Sequence, residues 1–154
     1  MTEGLREKLI ATALEMNRSG INQGTAGNIS ARHEAGMLVT PTGMPYEQLE
    51  ESDIVFIDAS GDFVGRRNPS SEWRFHQAIY QVRPDINAVV HNHAIFSTTI
   101  AILNKEIPAI HYMIAAGGGN SIRCAPYATY GTQELSDIVA RAVKDRNACL
   151  LQHH

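Results

Sequence analysis

The sequence predicts an α/β domain with a sheet that is at least partly antiparallel and helices on its faces. Three observations point there. Short apolar runs come in pairs joined by glycine-bearing turns, the texture of β-hairpins. Longer stretches around them repeat their apolar residues at helical spacing. The 154 residues carry no internal repeat, low-complexity tract or linker-like shift in composition, and amount to one domain's worth of chain.

Taken in order, Thr2 is placed to cap a first helix with apolar positions Leu5, Leu9, Ile10, Ala13, Leu14 and Met16, and Gly20 sits where its C-terminal stop belongs. Asn28-Ile29-Ser30-Ala31-Arg32 and Met37-Leu38-Val39-Thr40 read as two strands around a turn at Glu34-Ala35-Gly36. Ile54-Val55-Phe56-Ile57 and Asp62-Phe63-Val64 form a second hairpin across Ala59-Ser60-Gly61. Pro69-Ser70-Ser71-Glu72 opens a helix carrying Trp73, His76, Ile79 and Tyr80, which stops before Pro84. Ile86-Asn87-Ala88-Val89-Val90 is a strand, followed by a helix over 96–103, a short strand over 109–113 and a turn at Gly117-Gly118-Gly119-Asn120. A helix over 132–144 gathers Leu135, Ile138, Val139 and Val143 on one face, and Ala148-Cys149-Leu150-Leu151-Gln152 is a last apolar run.

Bulk properties exclude several function classes. A net charge of −3, without a basic block, argues against a nucleic-acid surface. No apolar stretch is long enough for a membrane span, and residues 1–7 carry no secretory apolar core. Cys124 and Cys149 stand apart, without C-x-x-C spacing, and read as reduced core residues of a cytoplasmic protein rather than a disulfide or metal ligands.

The chemistry-bearing residues begin with His91-Asn92-His93, which closes the Ile86–Val90 run. Side chains on a strand alternate faces, so the two imidazoles point the same way and make half of a metal site. A third ring is available from His153 or His154, at the end of the other apolar run. A catalytic zinc takes about three protein ligands and keeps one position open. Glu72, at the start of its helix, is either a capping or solvated acid or a carboxylate aimed at the metal as ligand or base. His76, one turn on, is an alternative intrahelical partner for it. His33 reads as a solvated residue beside a turn, and His111 as a strand residue. Its neighbour Tyr112 is either a core aromatic or a proton donor.

Three polar loops complete the set: Gly24-Thr25-Ala26-Gly27-Asn28, Pro41-Thr42-Gly43 and Pro69-Ser70-Ser71-Glu72. Exposed amides and small hydroxyls at element boundaries suit an anion, and a helix N-terminus adds a favourable dipole. The loops hold no lysine or arginine, so a phosphate there would rest on neutral donors.

Six motifs in order along the chain resemble the class II aldolase/adducin family. They are Asn22-Gln23-Gly24-Thr25-Ala26-Gly27-Asn28, Thr40-Pro41-Thr42-Gly43, Pro69-Ser70-Ser71-Glu72-Trp73-Arg74-Phe75-His76, Ala88-Val89-Val90-His91-Asn92-His93-Ala94, Ile110-His111-Tyr112-Met113-Ile114 and Leu151-Gln152-His153-His154. The resemblance implies a three-layer α/β/α fold with a mainly antiparallel central sheet, assembled as a homotetramer with active sites between subunits. It implies Zn²⁺ on His91, His93, His154 and Glu72, and a phosphate pocket of Gly27, Asn28, Thr42, Gly43, Ser70 and Ser71. The reaction it implies is reversible retro-aldol cleavage of a ketose 1-phosphate, L-fuculose 1-phosphate foremost, to dihydroxyacetone phosphate and L-lactaldehyde. Glu72 would carry the proton of the carbanion-forming half, and Tyr112 of an adjacent subunit the proton at the aldehyde oxygen.

Two alternatives stand beside this one. A pentulose-phosphate 4-epimerase of the same family shares the zinc logic, but carries Asp where this chain has Glu72. A structural module like the adducin head shares the fold but lacks the metal-binding histidines. Family members continue past the paired histidines, so residues 1–154 are expected to be a single aldolase domain lacking its C-terminal part.

Overall fold

The computed structural model describes residues 4–154. Helix α1 (Leu5–Arg18) leads into an antiparallel hairpin, β1 (Asn28–His33) and β2 (Gly36–Val39), and then into a second hairpin, β3 (Val55–Asp58) and β4 (Phe63–Val64). Helix α2 (Trp73–Val82), β5 (Ala88–His91), α3 (Ile95–Ile102), β6 (Arg123–Ala125), α4 (Gln133–Val143) and β7 (Cys149–Leu151) follow. The five-stranded sheet runs β4-β3-β2-β1-β5, and every pairing in it is antiparallel. β6 and β7 form a separate parallel pair. The expected capping role of Thr2 lies outside the described residues. Gly20, with φ +75°, takes the left-handed position just past α1 that its sequence position suggested.

Period-two alternation decides how the layers form. Ile29, Ala31, Leu38 and Ile54 pack with Leu9, Ala13 and Tyr46 on the α1 side of the sheet. Met37, Val39, Val55 and Ile57 face the other way and meet Tyr80 of α2. Helix α4 packs behind α2, with Leu135, Ile138, Val139 and Val143 buried against Phe75 and Ile79. These are helix, sheet and helix layers, as the resemblance implied. Each such apolar side chain contributes about 1.5–3 kcal/mol by leaving water. Among the described residues no helix is long and apolar enough to cross a membrane.

Two sequence expectations fail, and one strand was not anticipated. The strand over 109–113 does not form. Residues 112–117 are instead a 3₁₀ helix entered from an extended His111. Ile110 and Tyr112 are 75% and 80% exposed, and the segment pairs with no strand of either sheet. Strand β6 went unpredicted, because three residues are too few to show a period. His33 is not a solvated residue: it is half-buried, edge-on to Phe56 at 5.9 Å between ring centres. Cys124 and Cys149 are free thiols, as expected.

Candidate active site

Because β5 runs antiparallel to β1, the end of one lies beside the start of the other, and Asn28 pairs with His91. His91 is the last residue of β5, and His93 lies just beyond it with its Nε2 3.0 Å from that of His91. The buried Asn22 steadies this corner by accepting the His93 backbone N–H at 3.3 Å. Gly27 is required here: a Cβ would sit 2.5 Å from the His91 carbonyl oxygen and 2.6 Å from Asn22 Oδ1. No side chain fits that approach.

The third ring is His154. His153 adopts φ +52°, a conformation side chains avoid, and so turns the chain after β7. His154 Nε2 then lies 3.3 Å from His91 Nε2, whereas His153 is exposed beside Gln152. Ligand atoms of His91, His93 and His154 all lie within 4.8 Å of one another.

Glu72 holds the N-cap position of α2, but its side chain makes no capping bond. The carboxylate turns inward instead, 6% exposed, with Oε2 3.3 Å from His91 Nε2 and Oε1 2.9 Å from His154 Nε2. Asn28 Nδ2 donates to Oε2 at 2.9 Å. Oε1 is buried without a hydrogen-bond partner of its own and faces the His154 nitrogen as an ion-pair contact only.

Burial by itself would raise the Glu72 pKa. The neighbouring His154 and His91 and the Asn28 amide outweigh burial and bring it down to about 2. Burial pushes His91 down to about 4, against the pull of Glu72, and lowers His93 as well. At neutral pH the corner therefore holds an ionised carboxylate beside the neutral imidazoles of His91 and His93, with the ring of His154 converging on them.

That donor set fits a zinc ion. Neutral imidazole nitrogens and a carboxylate are its usual partners, and a tetrahedral ion with bonds of about 2.05 Å spaces its ligand atoms by about 3.3 Å. The four separations of 2.9–3.3 Å about His91 Nε2 and between Glu72 and His154, and the orphaned Glu72 Oε1, suit that spacing.

The three polar loops are knitted together around this corner. Thr42 N–H donates to the Asn68 carbonyl at 3.1 Å and Ser70 N–H to the Thr40 carbonyl at 3.0 Å. Tyr46 O–H donates to the Gly27 carbonyl. Thr42, Gly43 and Ser71 are exposed, and Gly27, Asn28 and Ser70 are buried. The Asn28 amide is committed to Glu72 and His76, which leaves one N–H of Nδ2 for an outside ligand. Tyr112 lines a separate shallow pocket over 109–120 and is not brought to the histidines within this chain.

His76 does not pair directly with Glu72. It reaches the carboxylate through Asn28, with Nε2 2.5 Å from Asn28 Oδ1, an oxygen that only accepts, and Nδ1 2.7 Å from Ser30 Oγ. Sequence reasoning missed Ser30, Tyr80 and the positioning role of Asn22, which only the β1–α2 packing reveals. It also missed Asp53, whose fully buried carboxylate accepts from Arg66 Nε and Arg67 Nε, each at 2.9 Å, and anchors the start of the loop that leads to Ser70.

Comparison with known proteins gives the family. L-fuculose phosphate aldolase of Escherichia coli (strain K12) is 66% identical over 97% of this chain and 70% of that protein. A 5-methylthioribulose-1-phosphate/5-deoxyribulose-1-phosphate aldolase of Rhodospirillum rubrum is 53% identical over 97% of this chain and 68% of that protein. A solved L-fuculose 1-phosphate aldolase superposes with a TM-score of 0.95 at 40% identity, covering 100% of this chain and 74% of its own. The family model for the class II aldolase and adducin N-terminal domain matches residues 7–154. The chain belongs to the class II aldolase and adducin N-terminal domain family.

Proposed function

We propose that this chain catalyses reversible cleavage of L-fuculose 1-phosphate to dihydroxyacetone phosphate and L-lactaldehyde, with zinc held by His91, His93, His154 and Glu72. The observation that carries this reading is the convergence of those side chains in a chain 66% identical to an L-fuculose phosphate aldolase. The relative at 53% identity supports the same reaction class with a different aldehyde half, and the higher identity favours fuculose.

Zinc bound there supplies Lewis acidity toward the negative charge that develops on the substrate's carbonyl oxygen. The chain's own groups do the rest. Asn28 holds Glu72 Oε2, so Oε1 is the oxygen that takes and returns the proton at the carbon beside the carbonyl. Gly27, Asn28, Thr42, Gly43, Ser70 and Ser71 bind the phosphate through neutral donors. Tyr112, exposed on its own chain, serves the aldehyde oxygen in a neighbouring subunit's site. The exposed apolar residues Ile95, Phe96 and Ile102 of α3, with Leu103 just after it, support assembly into the homotetramer that this requires. We place the enzyme in the cytoplasm, in keeping with its two free thiols.

The test is product analysis. Purified protein of measured zinc content is incubated with L-fuculose 1-phosphate, and dihydroxyacetone phosphate and L-lactaldehyde are quantified before and after chelation. Both products, lost on chelation and restored by zinc, are expected. An epimerised sugar phosphate, or no product at full zinc occupancy, overturns the aldolase reading. Turnover that survives complete chelation overturns the zinc assignment.

A further inference from the structure

His76 is fully buried, and the chemistry above gives it no part. It stands in the middle of a hydrogen-bonded chain running from the interior to the site. Tyr80 Oη lies 2.8 Å from Ser30 Oγ, Ser30 Oγ 2.7 Å from His76 Nδ1, and His76 Nε2 2.5 Å from Asn28 Oδ1. Asn28 Nδ2 then reaches Glu72 Oε2 at 2.9 Å.

The direction of every proton in this chain follows from its two ends. An ionised carboxylate only accepts, so Asn28 presents its NH₂ group to Glu72 and its oxygen to His76. An amide oxygen only accepts, so His76 carries its proton on Nε2. A neutral imidazole has a single N–H, which leaves Nδ1 to accept from the Ser30 hydroxyl, and Ser30 Oγ to accept from Tyr80. The opposite tautomer, with the proton on Nδ1, would face the Asn28 NH₂ and turn the amide oxygen onto the carboxylate. The tautomer of His76 and the orientation of Asn28 are thus one variable.

We infer that His76 is a positioning residue for Glu72: its Nε2–H locks the Asn28 amide so that Oε2 is held and Oε1 is left turned toward His154. This rests on the reading of Glu72 as ligand and proton carrier, and the test separates the two. In the full chain labelled with ¹⁵N-histidine, long-range ¹H–¹⁵N correlation at neutral pH reads the His76 tautomer without any turnover. The expected result is a neutral ring protonated at Nε2.

Two variants give the kinetic arm. His76→Gln keeps a donor near the Nε2 position, whereas His76→Asn keeps a polar group near Nδ1 and loses the bond to Asn28. The Gln variant is expected to retain turnover within a few-fold. The Asn variant should lose about thirtyfold in kcat with KM little changed, as suits one lost donor to a buried charged pair. A His76 ring protonated at Nδ1, or at both nitrogens, overturns the inference. So do folded Gln and Asn variants with the same kcat. Should neither variant fold, the tautomer in the unmodified chain still decides. An inactive wild type with Nε2–H on His76 removes the aldolase reading but not the hydrogen-bond polarity.

Discussion

Acid should destabilise this fold partly through His76, and the size of the effect can be worked out. Burial, then the charge of His91, pushes the folded pKa down to about 3, against a smaller opposing pull from Glu72. The unfolded chain has an ordinary histidine value of about 6.5. Below that value the unfolded state binds a proton that the folded state refuses, so the stability His76 confers is complete above pH 6.5 and lost as pH falls toward 3. Between pH 7.5 and 5 this loss is about 2 kcal/mol, and it depends on the unfolded pKa alone once the folded one lies well below 5. In a chain of this size it corresponds to about 4–8 °C in Tm. His91, lowered to about 4, acts in the same sense, so the wild-type slope is steeper than His76 alone would give. The assay is therefore a difference: urea unfolding of wild type and His76→Gln at closely spaced pH between 7.5 and 5. The wild type should lose about 2 kcal/mol more than the variant over that range. Parallel slopes for the two proteins would refute the reasoning, because they would mean that His76 is charged in the fold or reaches solvent.

Three further outcomes are expected. Ser71→Ala should raise KM for the phosphorylated ketose about five- to thirtyfold, one neutral donor's share of about 1–2 kcal/mol, with kcat nearly constant in steady-state kinetics. Gly27→Ala forces a methyl group against the His91 carbonyl and Asn22, and should cost about 1–3 kcal/mol in urea unfolding together with a measurable loss of zinc in equilibrium dialysis. Asp53→Ala removes the acceptor of two arginines that are themselves about half exposed. Water can therefore solvate them, and chemical denaturation should show a moderate loss of about 1–3 kcal/mol rather than unfolding.

Much of this molecule was legible because its signals are local. His91 and His93 are two residues apart, so strand geometry alone brings them together. Both hairpins announce their turns, and the apolar stripe of α4 repeats with the helix. What the sequence hid depends on separation. Residue chemistry alone left His153 and His154 open; the resemblance pointed to His154, and the physical reason, the position of β7 relative to β5 and the left-handed turn at His153, appears only in the fold. His76 looked like a partner for Glu72 one turn away, yet its contacts are Ser30 and Asn28, 46 and 48 residues distant on the central sheet. The misread strand over 109–113 has the right residues for a strand but no neighbour to pair with. Its apolar side chains are exposed, which periodicity cannot distinguish from burial.

The ligand groups are held with unequal firmness, and the inequality follows from the fold. His91 ends a strand paired to β1, with its ring edge-on to the buried Phe75 at 5.4 Å. His93 is fixed through its backbone by Asn22, and Glu72 by the Asn28 amide and the start of α2. His154 has no sheet partner of its own and is joined to β7 through Gln152 and His153, the second of them in a costly conformation. His91, His93, His154 and Glu72 would together hold a cation, whose charge would offset the facing lone pairs and link His154 to the more firmly held residues. Metal binding and the fixing of His154 are therefore expected to be one thermodynamic event, with β5, the turn after it and the start of α2 supplying three preformed groups and the turn after β7 the adjustable fourth.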